Sequence, residues 1–400
     1  MRYSKKDTRK IVQNYFKDEN RLKLESLLNS GRYFLVSTNT VLIKMESIKD
    51  PKVSQPRFAS FGTSFMGPAL SFFSHNLVKS APQSTTLYFL AREGYWLERA
   101  YQQYLLGSEQ RRNSCYLLVS RAFLFKLLLS DSRSFEYSLK GDFSGSFFDL
   151  MRTRFLLTNT EIQQVFSQDI TQELVYLPHD RKKIITVLAQ HQELLENVIS
   201  AIKKPYLAYL TSLGVTSQNT LHLVDLGYSG TIQSLLTILL NKDTVGHYLI
   251  SSQPGEHRIA NNTATMKGYL KEGVKLGDGY LPLDRSMFLE SLLTAPFGQF
   301  RGIRFNTFDN TKFDFYYGRK VASQRYFYEL EQVMCGALDY CYHSGQNSIE
   351  FSNSELEVML NNYLSKPNMI PRSTKHIFDI DDDVSGNGTV NALQFFGLGS

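Results

Sequence analysis

The chain has 400 residues, 42% hydrophobic and 20% charged, with a net charge of +6. That length is long for one small domain and short for three, and the composition is that of a globular chain able to bury a large core. The mild basicity suits phosphorylated substrates or an anionic membrane surface, whereas scattered Lys and Arg without a zinc-finger or RRM signature argue against nucleic acid.

In chain order, KKDTRKIVQNYFKDENRLKLESLLNSG reads as a helix ending at Gly31. The polar start has no apolar h-region, and no apolar run approaches the ~20 residues that span a bilayer. A cytoplasmic protein is expected, in contact with a membrane at most peripherally. The Pro-, Ser- and Gly-rich SIKDPKVSQPRFASFGTSFMGP predicts a loop, and PALSFFSHNLVKSA an amphipathic helix. Within TTLYFLAREGYWL, Leu87 to Leu90 are continuously apolar, as in a strand covered on both faces. A helix follows over EGYWLERAYQQYLLG, then a second strand from Cys115 to Ala122. Residues 123–215 read as a long helical insertion. LHLVDLGYSGTIQSLL holds a third strand and its helix; a fourth strand starts at Val245 and a weaker fifth lies near ATMKGYL. This alternation predicts an α/β parallel sheet with covering helices. Residues 275–400 mix aromatics, short helices and loops, with DIDDDVSGNGTV as a polar loop. The division expected is a helical N-terminal segment and linker over 1–60, a catalytic domain over 61–305 and a mixed C-terminal extension, a candidate acceptor-binding part, over 306–400. Cys115, Cys335 and Cys341 are too dispersed for a metal framework and are expected to be reduced thiols.

Ligands of parallel α/β sheets sit beyond the carboxyl ends of the strands. Three strands here end in polar residues: Ala91-Arg92-Glu93-Gly94, Ser120-Arg121 and Asp225-Leu226-Gly227-Tyr228-Ser229-Gly230-Thr231. In the third, glycines allow close backbone approach, two hydroxyls are on offer, and a helix N-terminus follows, an arrangement that binds phosphate. Asp225 repels phosphate but suits a pair of neighbouring hydroxyls, as on a ribose. Arg92 and Arg121 suit a diphosphate through bidentate pairing. An ordinary turn capped by Asp225, and arginines ion-paired with Glu93 or Glu98, would account for the same residues. His257 and Arg258, after a Pro-Gly turn, belong either to a phosphate contact or to a solvated loop.

LVDLGYSGTI resembles the PRPP-binding loop of type I phosphoribosyltransferases, and FLAREGYWL that fold's pyrophosphate loop. Together with YLLVSRA and FLESLLTAP, over roughly residues 60–305, they look like a domain of bacterial O-antigen and capsule gene clusters that installs ribofuranose alongside a HAD-type phosphatase. The resemblance implies a phosphoribosyltransferase-like core moving 5-phosphoribosyl from PRPP to a sugar hydroxyl. The acceptor it implies is a lipid-linked glycan, on undecaprenyl diphosphate. It implies that Asp225 binds the ribose hydroxyls, that Gly227, Tyr228, Ser229, Gly230 and Thr231 hold the 5-phosphate, and that Ala91, Arg92, Glu93 and Gly94 form the pyrophosphate loop with Arg121 as a further ligand. Mg²⁺ would arrive mainly through PRPP. Inversion would give a β-ribofuranosyl-5-phosphate, with Glu93 or Glu290 as general base. The sequence departs from the pattern where Leu226 stands in place of a second acid, and in a shorter acid-to-threonine stretch. That departure also fits a non-catalytic PRPP- or nucleotide-binding or interaction domain of a polysaccharide-assembly complex. A phosphatase is disfavoured, because Ala91-Arg92-Glu93 carries no nucleophilic aspartate.

Overall fold

The computed structural model describes residues 33–35, 42–44, 56–320, 322–366, 369–382 and 388–398. The helix expected before Gly31 lies outside them. In chain order, a small antiparallel pair, β1 (Tyr33–Leu35) and β2 (Leu42–Lys44), precedes α1 (Pro56–Ser80). Then come β3 (Leu87–Leu90), α2 (Gly94–Gly107), β4 (Ser114–Leu117) and α3 (Arg121–Leu127). The insertion is helical but carries a hairpin, β5 (Phe143–Ser146) with β6 (Leu174–Leu177), and ends in α4 (Gln192–Ser212). The chain continues through β7 (Thr220–Asp225), α5 (Thr231–Leu240), β8 (Asp243–Ser251), β9 (Gly255–Ile259), β10 (Asn262–Glu272) and α6 (Met287–Leu292). A second hairpin, β11 (Phe300–Phe305) and β12 (Phe313–Tyr317), leads to α7 (Phe327–Gln346) and α8 (Asn353–Ser365). Near the end, β13 (Asp379–Asp382) pairs with β14 (Gly388–Asn391), so the segment read as a polar loop is two short strands around 383–387.

The central sheet has six strands in the order β4-β3-β7-β8-β10-β9. The first five run parallel, and β9 lies antiparallel at the edge. The fold is therefore α/β with a mixed, mostly parallel sheet. The edge strand β9 was missed because GEHRI is polar and exposed, as one-sided edge strands are.

Each strand serves two cores. In β3 all four residues are buried, Leu87 and Phe89 on the face covered by α1, α2, α7 and α8, Tyr88 and Leu90 on the face covered by α3, α4 and α5. Hence the run carries no polar alternation. The chain steps from β3 outward to β4, then returns to place β7 on the other side of β3. Such a reversal opens a crevice at the carboxyl ends of the two strands that flank it.

Of the expected loop over 47–68, residues 47–55 lie outside the described residues and 56–68 are helix, since α1 starts at Pro56. Its glycines are contact points rather than breakers. A Cβ on Gly62 would collide with the Val333 carbonyl, one on Gly67 would lie 2.7 Å from the Tyr340 ring, and one on Gly336 would strike the Ala59 carbonyl. Tertiary packing against α7 overrides the local signal. The expected divisions at 60/61 and 305/306 fall within α1 and between the strands of the β11–β12 hairpin.

Trp96, the sole tryptophan, is buried in α2. Its indole N–H donates to the Thr294 carbonyl at 3.0 Å, and its ring stacks on Phe327 of α7 at 5.9 Å. No helix among the described residues is long and apolar enough to cross a membrane. None of the three cysteines forms a disulfide.

Candidate active site

A cavity of about 660 Å³ opens at the carboxyl ends of β4, β3 and β7, the crevice the strand order predicts. Three turns furnish its polar floor.

The turn after β3 is anchored where the Ala91 N–H donates to the Leu117 carbonyl at 3.0 Å. Its Ala91–Arg92 peptide is cis. The Arg92 N–H donates to Glu93 Oε2 at 3.2 Å, and the Arg92 guanidinium lies 3.8 Å from the same carboxylate. This pair is loose, so both groups can still meet a ligand. Gly94 sits beneath the cavity rather than in its wall: a Cβ there would come 2.6 Å from the Phe89 carbonyl carbon. Glycine at this point lets α2 press against β3.

After β4, the Ser120 hydroxyl accepts from the Phe123 N–H at 3.1 Å and donates to the Phe300 carbonyl at 2.6 Å. This cap fixes the start of α3 and holds Arg121 at the cavity wall.

The turn after β7 is built on glycine. A Cβ on Gly227 would lie 2.5 Å from the Ile250 carbonyl oxygen. Gly230 is left-handed at φ 67°, and a Cβ there would collide with the Met266 thioether. The Gly227–Tyr228 peptide is cis. The Tyr228 carbonyl accepts from the Ser252 N–H at 2.9 Å, fixing the loop to β8. Ser229 is exposed, with its hydroxyl 3.3 Å from that of Thr231 at the start of α5. A buried Gln233 bonds to Thr244, Thr265 and Tyr248, locking that helix end to β8 and β10. The result is a rigid helix N-terminus facing the cavity with two hydroxyls beside it.

Leu226 is 3% exposed and belongs to the core, while its carbonyl accepts from the Leu249 N–H at 3.1 Å. The side chain after Asp225 thus packs into the core at the cavity floor. A second acid there would be buried in apolar packing, which explains the departure from the two-acid pattern.

Three carboxyls crowd the cavity. Asp225 is partly buried, with Oδ1 accepting from the Leu226 N–H at 2.8 Å. Burial pushes its carboxyl well above the usual carboxylate range, and Glu93 and Glu290 push it further, against the pull of Arg121. Glu290, on α6, is pushed up to about 7 by burial and by the charge of Glu93, with Arg92 acting the other way. The Tyr228 phenol lies beside Ser286 and Glu290, buried, its hydroxyl outside hydrogen-bonding geometry.

One cavity therefore gathers Ala91, Arg92, Glu93, Arg121, Asp225, Gly227 to Thr231 and Glu290. His257 and Arg258 lie apart on β9, where they bond to the Gln253 and Ala260 carbonyls. Sequence reasoning missed Tyr116, Ser286, Phe297 and Tyr317, which also line the cavity. No motif marks them; each is brought in by tertiary packing from a separate segment.

Asp225 is an oxygen donor of the hard kind that Mg²⁺ takes, and the repulsion it meets from Glu93 and Glu290 is what a cation would relieve. No protein-family model matches the sequence, and no curated protein does. Chemically, the arrangement can hold an anion at a helix N-terminus, a second anion on two guanidiniums, and a hydroxylated ring between them.

Proposed function

We propose that the chain is a PRPP-dependent phosphoribosyltransferase with a phosphoribosyltransferase-like core, transferring 5-phosphoribosyl to a hydroxyl of an acceptor sugar. The observation that carries this is the placement of Arg121, Arg92 and Asp225 on the adjacent strand ends of β4, β3 and β7, in one cavity with the Gly227–Thr231 turn. Three neighbouring strands span about 10 Å, close to the reach of a pentose with a phosphate at one end and a diphosphate at the other.

In this reading the α5 N-terminus, Ser229 and Thr231 hold the 5-phosphate, and Asp225 accepts from the ribose hydroxyls. Arg92 and Arg121 bind the pyrophosphate and stabilise the charge it gains on leaving. Mg²⁺ held with the donor, near Asp225, would neutralise part of that charge. The acceptor hydroxyl attacks C1 from the face opposite the pyrophosphate, which inverts the anomeric centre. Glu93 and Glu290 are the carboxylates placed to take its proton. A lipid-linked glycan as acceptor, at the cytoplasmic face of the membrane, and a HAD-type phosphatase acting on the product complete the proposal.

The test is pyrophosphate release and acceptor labelling by purified protein with PRPP, Mg²⁺ and lipid-linked glycan. Asp225→Asn is expected to lose about 10²-fold in kcat/KM while keeping its circular dichroism spectrum, since the amide replaces a carboxyl oxygen that accepts from the ribose hydroxyls. Full activity in that variant, or a wild-type chain that does not bind PRPP, would sink the reading.

A further inference from the structure

Phosphate chemistry does not account for the whole cavity. Beside the Arg92–Glu93 turn its wall is aromatic, formed by Tyr116 of β4, Phe297 before β11 and Tyr317 of β12. The Phe297 and Tyr317 rings are 4.7 Å apart at 34°, and Tyr116 lies 6.3 Å from Phe297. Tyr95 backs Phe297 edge-on at 6.0 Å. All three wall residues are partly buried, so part of each remains open.

The Tyr116 hydroxyl is buried and has no hydrogen-bond partner. A buried polar group in that state is destabilising unless a ligand or water meets it. Glu93 lies at the seam: its charge acts on Tyr116 on one side and on Asp225 and Glu290 on the other. Behind the wall, the Arg99 guanidinium is engaged: it stacks 3.5 Å over the Tyr95 ring and donates to the Tyr95 carbonyl at 2.7 Å.

We infer that this wall is the acceptor subsite, that it takes a pyranose ring, and that it presents the attacking hydroxyl to Glu93 rather than to Glu290. The inference rests on the PRPP reading of the same cavity. A pyranose offers an apolar C–H face to the rings and a hydroxyl edge to the Tyr116 phenol and the Glu93 carboxylate. A lipid tail would leave the buried Tyr116 hydroxyl without a partner, and a second phosphate would meet the Glu93 carboxylate. In the transfer step the acceptor oxygen bonds to C1 of the phosphoribosyl group. The bond from C1 to the pyrophosphate oxygen breaks, its electron pair leaves with pyrophosphate, and the acceptor proton passes to Glu93.

Saturation-transfer NMR on the full chain with methyl hexopyranosides of gluco, galacto and manno configuration tests this, alongside PRPP titration with Mg²⁺. At least one glycoside should show enhancement concentrated on one C–H face. Tyr317→Leu should weaken it about tenfold and Tyr116→Phe about fivefold, with PRPP affinity kept. Tyr317→Phe, which retains the ring, should bind as wild type does, separating lost stacking from lost folding. The inference falls if no glycoside signal appears on a chain that binds PRPP. It also falls if both variants leave the signal unchanged, or if adenosine displaces the glycoside from the wall as the tighter ligand. Loss of PRPP binding with the glycoside pattern intact would sink the donor assignment alone and leave the wall as a sugar site.

Discussion

Two titratable residues pull the pH dependence of stability in opposite directions. Glu290 is held near 7 in the fold, against 4.5 ordinarily. Between those values the native state binds a proton that the unfolded chain releases, so this residue's contribution is present below about pH 4.5 and is lost as pH rises through 7. Glu290→Gln is therefore expected to be more stable than wild type at pH 8, by up to about 3 kcal/mol, with the gap closing by pH 4.5. Urea midpoints at the two pH values measure it. His247 acts in reverse. It is 1% exposed, with its Nε2 3.0 Å from His222 Nδ1 and its Nδ1 2.7 Å from the Tyr269 hydroxyl. Burial, with His222 and Lys267 adding, pushes its imidazole down to about 3. Below about pH 6.5 the unfolded chain gains a proton that the native chain refuses, so native stability declines by ~1.4 kcal/mol per pH unit towards pH 3. His247→Gln should flatten that slope in a urea series from pH 7 to 4.

At the scale of elements, α1 and α7 approach so closely that glycines on each abut the other helix, Gly62 and Gly336 against its backbone. Gly336→Ala separates local from tertiary preference. Helix propensity alone favours the alanine by ~1 kcal/mol, yet its methyl must enter the Ala59 carbonyl. The expected outcome is a net loss of about 1–3 kcal/mol in chemical denaturation, because the backbone of a packed helix cannot retreat as a side chain can. The same contrast shows what was legible in the sequence. The strand at Leu87–Leu90, the turn after Asp225 and the helix at 231–240 could be read, because continuous apolar runs and glycines at a strand end have local causes. The helix over Pro56–Pro68 could not, since its glycines serve α7, which lies more than 250 residues further along the chain. Nor could the aromatic wall, whose three residues carry no shared spacing.

For the whole molecule, the residues after the cavity-forming turns are not an appendage. Leu330, Val333, Met334, Ala337, Leu356 and Leu360 are buried in one cluster with Phe58, Phe65, Phe89 and Trp96. A chain cut after Phe305 loses β12 from its hairpin and α7 from the face of α1 and α2. Such a truncation is expected to show no cooperative thermal transition by circular dichroism and to recover no PRPP binding, whereas the full chain melts cooperatively.

The lone indole offers a handle on that architecture. Trp96 follows Glu93 by one helical turn, touches Thr294 near the aromatic wall and stacks on α7. A single indole thus stands where the turn after β3, the aromatic wall of the cavity and α7 converge. Its emission colour and lifetime form an intrinsic reporter: solvent reaching that junction shifts the spectrum to the red with no label attached, and the undocking of α7 becomes visible in an ordinary fluorimeter.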